Sequence, residues 1–358
     1  MFIHALGDQT AIPSLASRVA GSFAGLALGD ALGMPVEMMT RAQIRAKYGR
    51  VYGFVDPPAG SHADQLGLRV GNTTDNTQLT RAVALAMLDS QSFDPRQISY
   101  RHVQALEEST AGWGNTTVRA VESMQQRLQT GLDVYKPVPR RFSPKNKGCG
   151  NGVVMKVAPV VIWQFLNNED KADGDVPDRW LLRNVYKLGS LTHSDPRASI
   201  GAAAVAKLMY LLLTDQQEFL QAEDLLREID LFVQAAEIDA GVIGTDDLSH
   251  QFPKMFSLLR CKNLRARRVS ESLGNASFVV ESAPFSIMTA LRHLNDFRSG
   301  VLEAVNAGGD TDSNAAVVGA IIGANVGLEG IPNEWLNFQP IFLEMAKLGL
   351  EFYTTFIK

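Results

Sequence analysis

Cysteine is nearly absent from this chain: Cys149 and Cys261 are the only two among 358 residues. So distant a pair excludes a disulfide framework, a CxxC redox motif and a cysteine-built zinc site, and it points to a reducing, cytoplasmic compartment. Basic runs are missing as well. Lys+Arg 34 against Asp+Glu 38 gives a formal net charge of −4, so generic affinity for a phosphate backbone is not expected. The strongest positive cluster, residues 260–268, reads as a solvated face. The long run of small apolar residues at 315–327 is interrupted by Asn325 and falls short of the ~20 residues that a membrane span needs. Residues 1–13 carry Asp8 and no basic start followed by an apolar run, so they read as an untargeted tail and not as a secretory leader. Alternating apolar and polar stretches of strand length are scarce, the best being a weak one at residues 152–160.

What remains is ordinary globular composition, hydrophobic 46% and charged 20%, which predicts a packed core. Helical periodicity dominates it. Between residues 16 and 31, Val19, Phe23, Leu26 and Ala27 fall on one face, while Gly21, Gly25 and Gly29 form a second stripe four residues apart. Each glycine inside a helix costs about 1 kcal/mol against alanine, so the stripe needs a reason, such as a second helix lying very close. The stretch 77–88 buries Leu79, Val83, Ala86 and Met87, with Asp75 and Gln78 spaced as a capping box at its start. Further helices are predicted at 117–128, 196–213, 222–236, 284–294 and 314–326. Residues 136–147 and 167–178 read as polar loops, and no linker divides the chain. The expectation is an all-α protein, a single compact multi-helix domain over residues 1–358 with 1–15 as a tail.

Two segments concentrate oxygen-bearing side chains. Gly308-Gly309-Asp310-Thr311-Asp312-Ser313-Asn314 places two carboxylates and a hydroxyl ahead of a helix. Carboxylates two apart on a turn can converge on a hard cation, although an ordinary cap by Asp312 or Ser313 explains this segment equally well. An EF-hand would need Gly at Ala315 and Glu at Ile321, and neither is there. Asn72-Thr73-Thr74-Asp75-Asn76-Thr77 stands at a second helix start. Capping accounts for Asp75 and Gln78 but not for so many oxygens in both segments, and together the two favour a metal site built from helix N-termini. Gly148-Cys149-Gly150-Asn151-Gly152 could turn backbone amides toward a phosphate or ribose, but it is neither a P-loop nor a GxGxxG motif. In Thr192-His193-Ser194-Asp195-Pro196, Asp195 is placed to cap a helix that starts at Pro196, with His193 on the loop ahead.

In this order these segments resemble the ADP-ribosylglycohydrolase family. The resemblance runs from Gly25-Leu26-Ala27-Leu28-Gly29-Asp30-Ala31-Leu32-Gly33-Met34-Pro35-Val36-Glu37 through Thr74-Asp75-Asn76-Thr77, Trp113-Gly114-Asn115-Thr116-Thr117 and Gly150-Asn151-Gly152-Val153-Val154-Met155-Lys156. It ends with Thr192-His193-Ser194-Asp195 and Ala307-Gly308-Gly309-Asp310-Thr311-Asp312-Ser313, covering roughly residues 18–330.

The resemblance implies an all-α domain with two divalent cations, Mg²⁺ or Mn²⁺, at the floor of a cleft. It implies Thr74, Asp75, Asn76, Asp310, Asp312 and Ser313 as metal ligands, and Glu37, Asp75 and Asp310 as catalytic residues. Trp113, Gly114, Gly150, Asn151, Gly152, Met155 and His193 are implied around the substrate. The implied activity is removal of ADP-ribose from a modified target, with a mono-ADP-ribosylated protein side chain first, arginine before others, and with the protein acting as a monomer. One position departs: Asn76 stands where most active relatives carry a second consecutive aspartate, which removes a charge and a potential base from the ligand set. Two other readings therefore stay open, a catalytically silent ADP-ribose binder or structural relative, and a hydrolase of another ADP-ribosylated substrate such as nucleic acid.

Overall fold

The computed structural model describes residues 13–143, 145–167, 177–214, 221–242, 247–261 and 264–357. Among these the chain is helical and contains no strand, only two isolated antiparallel bridges, Thr40 with Gly308 and Gly150 with Phe278. In chain order the helices are Leu15–Gly33 (α1), Arg41–Tyr48 (α2), His62–Gln65 (α3), Asp75–Ser90 (α4), Pro95–Glu108 (α5), Asn115–Gln129 (α6), Ala158–Asn167 (α7), Pro177–Gly189 (α8) and Pro196–Leu213 (α9). There follow Ala222–Ala240 (α10), Phe252–Leu259 (α11), Ala266–Leu273 (α12), Val279–Arg292 (α13), Phe297–Val305 (α14), Thr311–Val326 (α15), Asn333–Leu336 (α16) and Pro340–Phe356 (α17).

Helix α1 is buried on every side, and the glycine stripe explains how. A Cβ built on Gly25 would lie 2.3 Å from the Gly319 carbonyl oxygen, and one on Gly29 2.0 Å from that of Ala315. Gly21 and Gly33 meet Gly323 and Thr311 in the same way. Helices α1 and α15 thus touch backbone to backbone and run antiparallel, which brings the C-terminal end of α1 beside the N-terminal end of α15. Helix α17 covers another side of α1, with Phe352 packed on Phe23 at 5.6 Å between ring centroids and Gly349 close against Ala20.

Helices α1 and α9 are long and apolar enough to cross a membrane by composition, so residues 315–327 are not the longest such run in the chain. Both are nevertheless enclosed by protein, and a helix that is apolar all round is what a large core requires.

Several local expectations change. The 152–160 stretch forms a 3₁₀ turn, Val154–Lys156, and then α7, in place of a strand. Helix α13 begins five residues before Pro284, and α15 begins at Thr311, ahead of Asn314. Asp195 caps α9 as expected, accepting from the Arg197 N–H. The Asp75–Gln78 capping box is not formed: Asp75 is the first residue of α4, whose N-cap Thr74 makes no side-chain cap. Gln78 bonds Trp113 and the Ala105 carbonyl instead. The cap comes from a distant helix. Asp30 of α1 accepts from the Thr74 and Thr77 N–H groups, both at 3.0 Å, and from both threonine hydroxyls.

In the basic cluster Arg260 pairs with Glu223 and Arg267 with Glu271, Arg265 and Arg268 are exposed, and Lys262 lies outside the described residues. Residues 1–12 of the expected tail and 168–176 of the second polar loop also lie outside them.

The seam between α1 and α15 makes a direct prediction. Gly29→Ala, which forces a methyl into the Ala315 backbone, is expected to cost at least ~2 kcal/mol of unfolding free energy. Gly53→Ala, whose Cβ would meet only Trp335 Nε1 at 3.8 Å, should stay within ~0.5 kcal/mol in the same urea titration.

Candidate metal centre and substrate turn

Three chain segments converge where α1 ends and α4 and α15 begin. Glu37 follows the short Met34–Val36 turn after α1. Its loop is fastened to the glycine turn before α15 by two reciprocal backbone bonds, Met38 N–H to the Gly309 carbonyl and Gly309 N–H to the Met39 carbonyl, both 2.9 Å. This fastening holds Met38 at φ 64° and needs Gly308 and Gly309 at φ 80° and 78°. A Cβ on Gly308 would lie 2.6 Å from Arg41 N, so this pair is glycine for both conformation and space.

The result is a carboxylate cluster. Glu37, Asp310 and Asp312 each offer a ligand oxygen, all within 4.8 Å of one another. Asp75 and Asp30 lie near enough to raise the proton affinity of their neighbours. Burial and then Asp310 and Asp30 push Glu37 up to about 8. Burial and then Glu37, Asp310, Asp30 and Asp75 push Asp312 well above the usual carboxylate range. Asp75 rises for the same reasons, opposed by the Lys156 ammonium. Two buried oxygens, Asp312 Oδ1 and Asn76 Oδ1, have no hydrogen-bond partner. Crowded carboxylates with an orphaned buried oxygen among them are what a hard divalent cation fits, because a cation removes the mutual repulsion and takes oxygen ligands. Glu37, Asp310 and Asp312 are the residues that would hold it.

The structure brings the other expected metal ligands together unevenly. Thr74 Oγ1 lies 2.8 Å from Asp30 Oδ1 and 3.1 Å from Asp312 Oδ2, and Asn76 Nδ2 lies 2.9 Å from Thr74 Oγ1 and 3.2 Å from Asp312 Oδ2. Asp75 is buried, next to Gly112. Ser313 is buried beside Asp312.

The expected substrate residues form a second feature beside the first, joined to it by Asn151, whose Nδ2 donates to Asp310 Oδ2 at 2.8 Å. The turn is anchored from outside: Asn151 N–H donates to the Ser277 carbonyl, and the Val279 N–H to that of Cys149. The Gly150 and Gly152 amides take no acceptor among the described residues. Gly152 backs onto His193, since a Cβ there would lie 2.8 Å from Cε1. Burial, helped by Lys156, lowers the His193 imidazole to about 3, so it is neutral at physiological pH. Lys156 Nζ donates to Thr192 Oγ1, which stands 2.8 Å from His193 Nδ1. The hydroxyl proton is then free for Nδ1, which leaves Nε2 as a donor.

Met155 is buried and its carbonyl accepts from Thr80. Trp113 is buried with its indole N–H on Gln78 Oε1 at 2.8 Å, which makes it a packed wall. Gly114 is exposed with open space at its Cβ. From that loop Gly112, at φ 82°, backs onto the centre, since a Cβ there would lie 2.8 Å from Thr74 Cβ.

Asp30, Gly112 and Lys156 also pack around this candidate site, although no local pattern singles out the last two. Asp30 has a legible signal, an acid at the end of a glycine-striped helix. A cavity of about 970 Å³ lies elsewhere, between α8 and α10 near Arg183, Tyr186 and Phe232.

Glu37 sets a pH prediction. Its folded-state affinity for a proton exceeds its unfolded one, so between the ordinary carboxylate value near 4.5 and about 8 the folded protein binds the extra proton, and stability is lost as pH rises through that window. In EDTA, Glu37→Gln should gain roughly 1–3 kcal/mol relative to the unaltered chain between pH 5 and pH 8 in urea titrations. Saturating Mg²⁺ should shrink or reverse that gain.

Comparison with known proteins agrees with this geometry. The family model described as ADP-ribosylglycohydrolase matches residues 11–353. The chain is similar to ADP-ribosylhydrolase ARH3 of Gallus gallus, 26% identical over 317 residues that cover 82% of each chain. It is also similar to ADP-ribosylhydrolase ARH3 of Mus musculus, 27% identical over 302 residues covering 79% of this chain and 77% of the relative. A solved structure described as an ADP-ribosylglycohydrolase-related protein complex superposes with a TM-score of 0.63 at 26% identity, covering 96% of this chain and 99% of the other. The fold, the carboxylate cluster and the match over nearly the whole length lead to one conclusion: the chain belongs to the ADP-ribosylglycohydrolase family, hydrolases that act on the glycosidic bonds of ADP-ribose.

Proposed function

We propose that this protein is a divalent-cation-dependent hydrolase that removes ADP-ribose from a mono-ADP-ribosylated protein side chain, with arginine as the first substrate to test. The observation that carries the reading is the convergence of Glu37, Asp310 and Asp312 beside the Gly150–Gly152 turn. Hydrolysis at the anomeric carbon needs a water relieved of a proton and a leaving group able to accept one, while positive charge builds on the ribose.

Each part of the site supplies one of these. The free amides of Gly150 and Gly152 suit the diphosphate, and the neutral His193 offers a ribose oxygen or a phosphate its Nε2–H. Glu37, partly exposed at the edge of the cluster, is placed to exchange a proton with water or leaving group. Asp75 and Asp310 line the inner side and favour positive charge on the ribose. A bound Mg²⁺ or Mn²⁺ would polarise ribose hydroxyls or water and neutralise the carboxylates. Glu37, Asp310 and Asp312 would hold a cation, and Thr74 and Asn76 stand beside it where the resemblance implies ligands for a second.

The test is release of free ADP-ribose from ADP-ribosylated arginine and serine peptides with Mg²⁺ or Mn²⁺, abolished by EDTA. Glu37→Gln should lower kcat by about 10²-fold or more. Failure to release ADP-ribose from either peptide under any of these conditions rejects the reading. Asn76 favours the competing reading of a silent binder, which calorimetry would reveal as ADP-ribose bound and left intact.

A further inference from the structure

We infer that this protein holds one divalent cation, among Glu37, Asp310 and Asp312, and that the side-chain amide of Asn76 fills the adjoining place where a second would sit. The inference rests on the cation-centre reading above and concerns how many ions the centre takes.

Asp312 divides its two oxygens. Oδ2 is engaged by the Asn76 amide at 3.2 Å and by Thr74 Oγ1 at 3.1 Å, whereas Oδ1 is buried and has no partner. Asn76 Nδ2 also reaches Thr74 Oγ1 at 2.9 Å, so one NH₂ group serves two of the oxygens that a second ion would need. Its orientation is fixed by chemistry. With Asp312 ionised against the cation its Oδ2 is an acceptor, and the single Thr74 hydroxyl proton is committed to a carboxylate, Asp30 Oδ1 at 2.8 Å or Asp312 Oδ2 at 3.1 Å, so the nitrogen end of the amide suits this position.

An aspartate in its place would set a further carboxylate against Asp312 Oδ2 with no donor between them, an arrangement that calls for a cation. The amide hydrogens supply that positive end internally. The opposite end, Asn76 Oδ1, is buried without a partner, so the residue is held by its donors alone. The free Asp312 Oδ1 remains for the ion shared with Glu37 and Asp310.

The test counts ions. Mn²⁺ titrated into the full chain should bind once per molecule by calorimetry and native mass spectrometry, and should give the EPR spectrum of an isolated ion. Asn76→Asp should bind two, the second at least ~10-fold more tightly than any additional ion in the unaltered chain, with exchange broadening from a pair about 4 Å apart. Two comparable ions in the unaltered chain, or a folded Asn76→Asp with one, overturns the inference and leaves the cation centre standing. No ion in either protein overturns both. The count in the unaltered chain decides the matter even if the variant fails to fold.

Discussion

Everything at the centre depends on the backbone contact between α1 and α15. Four α1 glycines and the facing Gly319 and Gly323 let two main chains touch with no side chain between them. That contact brings the acidic end of α1 and the acidic start of α15 to one point. The local cost of glycine in a helix is offset by dispersion and burial along the seam, and the product is proximity between residues almost three hundred positions apart in sequence.

The carboxylates then pose an electrostatic problem that the surrounding structure answers only in part. Asp30 is satisfied by four donors from the start of α4. Asp310 takes one from Asn151. Asp312 has one oxygen served and one orphaned, and Glu37 holds its proton well into the neutral range. Lys156 is the buried positive charge nearby, itself lowered by burial to about 7. A centre so short of positive charge is destabilised when empty, which is a common arrangement where binding and folding are coupled.

Much of this was legible in the sequence because it is written in local patterns. The glycine stripe, the apolar faces, the two oxygen-rich helix starts and the His193 loop each announce themselves within a few residues. What was not legible is what arises from long-range packing. The Asp75–Gln78 spacing suits a capping box, but Asp30, forty-four positions earlier, takes the Thr74 amide and leaves Gln78 free to bond Trp113. The apolar alternation at 152–160 looks like a weak strand, yet it forms a 3₁₀ turn and the start of α7, with Gly152 set close against His193 from a distant segment. Gly112 carries no signal of its own, because its reason, Thr74, is on another segment.

The fastening of the Glu37 loop to the Gly308–Gly309 turn carries a mechanical consequence. Two main-chain bonds rivet the strap to the ground on which Asp310 stands. Any excursion that carries Glu37 away, to admit a bulky target or let a spent one go, must either tear both rivets or drag the turn along and disturb its partner acid. Opening the entrance and loosening the grip on an ion are in that sense the same movement.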